Sequence, residues 1–258
     1  MKISPQINKI LTRMIKLVIL LFSMYGMVED SSDHYFKGDA TILTDYKQLL
    51  VDIREMKMSP DQARDNFRVV LKKLKETYPS TYYDSASVNI VFPLRGSNYQ
   101  AVGGYGKGFY AKYFDLFDHS VKRSHPAHDI FIRDANRDCI NDYTKTYTDV
   151  LSVSDGLVLA TETNWQPGSE YRGGNYIWIY DTSTGGLWYY AHQREVFVVP
   201  GQIVTAGTKI GEVGRTGFNA AAPRSGTHLH IMYLHVDENG DPHAINTYNW
   251  LKTAQTNF

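Results

Sequence analysis

Apolar positions recur along this chain at two different periods. In "TDYKQLLVDIREMK", Leu49, Leu50 and Ile53 fall together at helical spacing. In "SPDQARDNFRVVLKKLKETYP", Phe67, Val70, Leu71 and Leu74 form a second stripe. The second helix carries its own start and stop signals. Ser59 is the expected N-cap, Pro60 occupies the first helical position, Gln62 completes a capping box and Pro79 ends the run. Beyond Tyr83 the period shortens. "SVNIVFPLRG", "HDIFIRD", "DVLSVSDGLVLATE", "YIWIYD", "LWYYAHQ", "EVFVVPG", "IGEVG" and "THLHIMYLHV" are short apolar or alternating runs separated by Gly, Asn, Asp and Pro. Short strands at this spacing predict an antiparallel sandwich or barrel, with "STGG", "VPGQ" and "DENGD" as turns. The expected architecture is mainly β, antiparallel and sandwich-like, preceded by a small helical segment.

The 258 residues suit one large domain with a small appendage. Nineteen tyrosines and eleven phenylalanines strengthen the β assignment. The 27 basic and 27 acidic side chains cancel, which argues against a nucleic-acid partner. Cys139 is the sole cysteine, so neither an internal disulfide nor a cysteine zinc cluster can form. Any transition metal must be held by histidine and carboxylate. At the N-terminus, Lys2, Lys9, Arg13 and Lys16 precede the apolar run Leu17 to Val28, the shape of an export signal or membrane anchor. The expected division is therefore a leader over 1–28, a helical segment over 29–84 and a β domain over 85–258. The protein is expected to be exported and associated with the periplasm or cell envelope.

Glycines cluster in "PGQIVTAGTKIGEVGRTG" without a phosphate-loop pattern or a strand–loop–helix order. Tight turns and bulges account for them. The histidines carry more. On a strand, His228 and His230 share one face with Met232, Leu234 and Val236, while His235 shares the other with Leu229, Ile231 and Tyr233. A His-x-His pair on a strand brings two imidazoles to roughly 6–7 Å along the backbone. In "HPAHD", Pro126 favours an extended His125, so His125 and Asp129 share a side and His128 faces away as a structural or rim residue. His125, Asp129 and one of the two strand histidines make a three-ligand set of the kind a catalytic zinc uses, with a fourth position left for water. The other strand histidine would handle protons. His192, ending "YYAH", has no assignment from its own surroundings.

Taken together, "HPAHD", "YYAH", the glycine-punctuated segment and "SGTHLH" resemble the lysostaphin/LytM-type zinc metallopeptidases over about residues 88–250. The resemblance implies a β-rich domain with a groove over one zinc ion. It implies His125, Asp129 and His230 as zinc ligands, and His192 and His228 as the histidines that orient water and stabilise the oxyanion. The implied substrates are peptide bonds in peptidoglycan cross-links or stem peptides. Two departures stand out. Ala127 occupies a place where the family often has glycine, and the segment 134–149 is long and acidic. Asp134, Asn136 and Asp138 open like a calcium loop but lack its glycine and closing glutamate. Two other readings have a sequence basis: a zinc-less relative that binds the wall and regulates another hydrolase, which would lack a ligand, and a β-sandwich surface or carbohydrate binder using its tyrosines.

Overall fold

The computed structural model describes residues 35–36, 38–80, 90–118, 120 and 123–257. The expected leader over 1–28 lies outside them. Among the described residues no helix is long and apolar enough to cross a membrane.

Two helices open the described chain, α1 (Thr41–Arg54) and α2 (Pro60–Thr77). The capping box forms as the sequence predicts: Ser59 Oγ accepts from Gln62 N, and Gln62 Oε1 accepts from Ser59 N. Such a cap contributes about 1 kcal/mol. The C-cap is Tyr78, forced out of helical geometry by the proline after it.

Among the described residues ten strands follow: β1 (His128–Phe131), β2 (Asp149–Leu151), β3 (Gly156–Glu162), β4 (Tyr176–Asp181), β5 (Leu187–Ala191), β6 (Gln193–Val196), β7 (Ile203–Val204), β8 (Lys209–Val213), β9 (His228–Val236) and β10 (Pro242–Ile245). A short helix, α3 (Tyr248–Thr253), comes last. Every strand-to-strand ladder is antiparallel. The large sheet runs β1-β9-β5-β4-β3-β7, with β10 beside β9; the small sheet runs β2-β8-β6. The chain is thus mainly β, as predicted. The stretch "SVNIVFPLRG" is an exception. Residues 81–89 lie outside the described part, and Val91 and Leu94 make only single bridges, to Gln255 and Val150. Pro93 between them has no N–H to extend a ladder.

Strand alternation divides the large sheet into two apolar faces. Ile177, Ile179, Leu229 and Ile231 share one core with Val150, Ile210 and Val213 of the small sheet. Trp178, Tyr180, Leu187, Met232 and Leu234 face the other way and pack with Tyr46, Leu49 and Ile53 of α1 and Phe67, Leu71 and Leu74 of α2. The helical stripe therefore has a definite partner. Burying each such side chain is worth about 1.5–3 kcal/mol. The buried face of α1 is Ile42, Tyr46, Leu49 and Ile53. Leu50, read from sequence as part of it, stays half-exposed and turns toward the groove described next.

Candidate active site

Register places the site. In the ladder between β1 and β9, Asp129 lies opposite His230 and Phe131 opposite His228. In the ladder between β5 and β9, Ala191 lies opposite His230, so His192 follows beside it. Directly opposed side chains sit with Cβ atoms about 4.5–5.5 Å apart. His125 comes from just before β1, where backbone hydrogen bonds tie it to Tyr110 in both directions (2.8 and 2.7 Å).

Three donor atoms converge. His125 Nε2 lies 3.2 Å and His230 Nδ1 3.0 Å from the same oxygen, Asp129 Oδ1. The ligand atoms of the three residues all lie within 4.8 Å of one another, and this is the one such group of metal-binding side chains among the described residues. The tautomer of His125 follows from its other nitrogen: Nδ1–H donates to Gly108 O at 2.9 Å, which leaves a lone pair on Nε2. A lone pair aimed at a carboxylate oxygen is repulsive unless a proton or a cation intervenes. Hydrogen bonding to Asp129 accordingly raises the His125 pKa against the opposing effect of burial. For Asp129, burial pushes upward, but the bonds from His125 and His230 prevail and its pKa is strongly lowered. Two nitrogens and one carboxylate oxygen are zinc donors, and tetrahedral edges of about 3.3 Å follow from Zn–N and Zn–O bonds of about 2.0–2.1 Å. The two contacts to Asp129 Oδ1 are close to that edge. The residues present fit zinc.

Two more imidazoles flank the triad. The His192 ring lies 4.9 Å from His228 and 5.5 Å from His230, centroid to centroid. His228 Nδ1–H donates to Gly226 O at 2.7 Å, and His192 Nδ1–H donates to Thr216 O at 2.8 Å. Each neutral ring therefore keeps its Nε2 lone pair for the site. His228 Nε2 is 3.7 Å from Asp129 Oδ1. Phe131 covers the His228 ring at 5.1 Å. Burial lowers the pKa of both: His228 is shifted down, and His192 is lowered to about 3 by burial, with the neighbouring His230 and His228 contributing.

His192 is held in a costly conformation. Its φ is +65°, in a region that non-glycine residues occupy at a cost of about 1–3 kcal/mol. It sits where the chain leaves β5 of the large sheet for β6 of the small one. His192 N–H donates to Gly173 O at 3.0 Å. Thr216 is fixed in turn, its hydroxyl donating to Gln193 O and accepting from Asn175 N, both at 2.9 Å. The glycine cluster serves this packing. A Cβ at Gly217 (φ +106°) would lie 2.9 Å from His192 Nδ1 and 2.2 Å from Arg172 O. Gly214 has an ordinary φ; it is small because Arg194 N would lie 2.3 Å from its Cβ. Close approach, as well as turn geometry, accounts for the motif.

A pH dependence follows from His192. An unfolded histidine titrates near 6.5, whereas the folded ring resists protonation until about pH 3. Between these values the unfolded chain binds a proton that the fold excludes, so this stability is present above pH 6.5 and lost as pH falls toward 3. The thermal midpoint of the metal-free chain is expected to fall between pH 6.5 and 4, and His192→Gln to flatten that fall. An unchanged slope in the variant would contradict the assignment.

The remaining candidates are placed apart. His128 is buried, with Nε2 3.0 Å from Asn246 Oδ1 and its ring near Phe109 and Tyr248. His235 is exposed opposite His243 in the ladder with β10. The incipient calcium loop is consumed internally. Asp134 accepts from Asp138 N, Cys139 N and the Thr227 hydroxyl, and Asp138 accepts from Ile140 N and Asn136 Nδ2. The Asp134–Thr227 bond of 2.6 Å ties the acidic segment to the residue preceding His228.

The five residues open onto a cavity of about 460 Å³. One wall is the end of α1, with Leu50, Ile53 and Arg54; another is the loop carrying Tyr171 and Arg172; Trp178, Tyr189 and Met232 form an apolar floor. Nothing in the sequence marked Gly108, Thr216, Tyr171 or α1 as parts of this site, because backbone carbonyls and groove walls leave no motif.

Comparison with known proteins finds one family and a set of solved structures. Residues 139–243 match the model of peptidase family M23, a span that contains His192, His228 and His230. No curated protein matches the chain. Among solved structures, lysostaphin from Staphylococcus simulans is 26% identical over 58% of this chain and 50% of its own, with a TM-score of 0.37. The lytM protein of Ruminococcus gnavus is 19% identical over 90% of this chain and 94% of its own, with a TM-score of 0.47. A zinc-containing peptidase from Vibrio cholerae is 22% identical over 65% of this chain and 37% of its own, with a TM-score of 0.33. The match thus spans half the length of the lysostaphin chain. The family model thus matches the glycine segment and the His-x-His strand, and over residues 139–243 the chain is similar to peptidase family M23.

Proposed function

We propose that this protein is a zinc-dependent endopeptidase that hydrolyses peptide bonds in the cross-links or stem peptides of bacterial peptidoglycan. The observation that carries the reading is the convergence of His125 Nε2, Asp129 Oδ1 and His230 Nδ1 beside two further imidazoles. His125, Asp129 and His230 would hold one zinc ion. Bound there, zinc would supply Lewis acidity, lowering the pKa of a bound water to about 7 and polarising a carbonyl oxygen.

The protein's own residues do the rest. His192 and His228 are neutral at physiological pH, and each presents an unprotonated Nε2. One of them accepts the proton of the attacking water. The resulting imidazolium then has an Nε2–H, which can donate to the tetrahedral oxyanion or pass the proton to the leaving amine. Burial makes that imidazolium a stronger acid than a free one, which favours release of the proton. The groove excludes bulk water along its apolar floor and holds an extended peptide across the triad. The basic and then apolar run of residues 1–28 supports a leader or an anchor, and with it a place outside the cytoplasm.

Digestion of purified peptidoglycan, with and without chelator and with zinc added back, tests the reading. New amino termini identified by mass analysis, lost on chelation and restored by zinc, are expected. Intact peptidoglycan under all three conditions would refute it. His228→Ala is expected to lower activity about 100-fold or more while metal analysis still finds zinc. Full hydrolysis by that variant would remove His228 from the mechanism.

A further inference from the structure

The catalytic groove contains a cationic side chain that the proposed chemistry does not use. Arg54, the last residue of α1, lines the same cavity as the triad. Its guanidinium lies 3.8 Å over the ring of Tyr171, which lines the same cavity. Stacking occupies the flat face of a guanidinium and leaves its in-plane N–H donors free. The compensation Arg54 receives is slight. Its Nε is buried without a hydrogen-bond partner. Its ion pair with Glu55 is 3.5 Å long, and Glu55 is held more closely by Lys57, at 2.6 Å.

The acids of the groove are committed elsewhere. Asp115 pairs with Arg64 at 3.2 Å. Asp118 accepts from the Ser120 amide at 2.9 Å and hydroxyl at 2.6 Å. Asp129 belongs to the triad. Arg54 shares this cavity with the reacting centre: Tyr189, which also lines it, packs its ring edge-on against His230 at 6.3 Å. A half-buried guanidinium that lines the same cavity as the triad, beside apolar side chains, is suited to a planar anion. A carboxylate is the peptide group that matches a guanidinium fork in two parallel hydrogen bonds.

We propose that Arg54 is a specificity-determining residue that binds a free carboxylate of the substrate, so that the groove selects peptides bearing a carboxylate over the same peptides with that group as an amide. This rests on the peptidase reading for its substrate class. Its test separates the two.

The probes are the stem tetrapeptide L-Ala-γ-D-Glu-L-Lys-D-Ala with both carboxylates free and the same peptide with both as carboxamides. Binding to the full chain is measured by calorimetry after chelation, so that no hydrolysis intervenes, and turnover is then measured with zinc restored. The wild-type protein is expected to bind the acid at least about tenfold more tightly than the diamide, the usual scale for a hydrogen bond to a charged group. Arg54→Gln should bind both peptides equally, at the wild-type diamide level, and unchanged diamide binding shows that the variant is folded. Arg54→Lys should restore part of the preference, since it keeps the charge without the fork. A wild-type protein with no preference, or with no measurable binding of the acid, overturns the proposal, as does an Arg54→Gln variant that keeps the preference. An Arg54-dependent preference without turnover by the zinc-loaded protein supports the carboxylate site and refutes the peptidase reading. Turnover with a preference that survives in Arg54→Gln does the reverse.

Discussion

His230→Ala is expected to abolish zinc binding and peptidoglycan hydrolysis together while leaving the protein folded. The residue is half-exposed at the site and is a member of neither apolar core. What it supplies is Nδ1, 3.0 Å from Asp129 Oδ1. Without it two donors remain, His125 Nε2 and the carboxylate, and two are too few for a zinc site that needs three protein ligands. Changes to outer residues that merely orient ligands already cost 10–100-fold in affinity or activity, so loss of a ligand should exceed about 100-fold in both. Metal analysis after dialysis and peptidoglycan digestion are the measurements, with a thermal melt as control. Stoichiometric zinc and near-normal hydrolysis in the variant would show that the metal, if any, is held elsewhere.

Removing the helical pair is the second large effect. A chain beginning near residue 85 is expected to aggregate or melt well below the full protein, with no gain in activity. The helices cover the face of the large sheet that carries Trp178, Tyr180, Leu187, Met232 and Leu234. Tyr46 meets Trp178 edge-on at 6.2 Å, and Phe67 meets Phe117 at 5.3 Å. An exposed apolar face of that kind is an association site. Polar ties reinforce it: Lys47 Nζ donates to Thr161 O at 2.6 Å, and Arg68 holds both oxygens of Asp241 at 3.0 Å. Phe67→Ala alone should cost about 3–5 kcal/mol, visible in denaturant unfolding. A soluble truncated chain with markedly higher activity would instead identify the helices as an inhibitory cover.

Much of this was legible in the sequence because the relevant physics is local or periodic. Strand parity separated His235 from His228 and His230, and the ladder of β9 follows that parity. Ser59, Pro60 and Gln62 announced the start of α2 by the chemistry of a single turn. The parts that were not legible depend on long-range register or on the backbone. Asp129 meets His230 across 101 positions of sequence, a pairing that neither strand encodes by itself. The anchors of the imidazoles are carbonyl oxygens of Gly108, Thr216 and Gly226, which any residue could provide. The two-residue strand β7 carries too few positions for an alternation to show. Leu50 and Arg54 read as ordinary helix residues until the direction of α1 over the sheet was known.

The position of β1 has a dynamic consequence. It lies at the rim of the large sheet, with β9 as its one full ladder and a single bridge from Val102 to Ile130 on its outer side. Rim strands open locally at lower free energy than the sheet centre. One such excursion would carry Asp129 away from His230, together with the adjoining segment that holds His125, while β9 stayed paired to β5. Amide exchange along β1 would then report the assembly of the centre, and would register its loss well before the molecule as a whole unfolds.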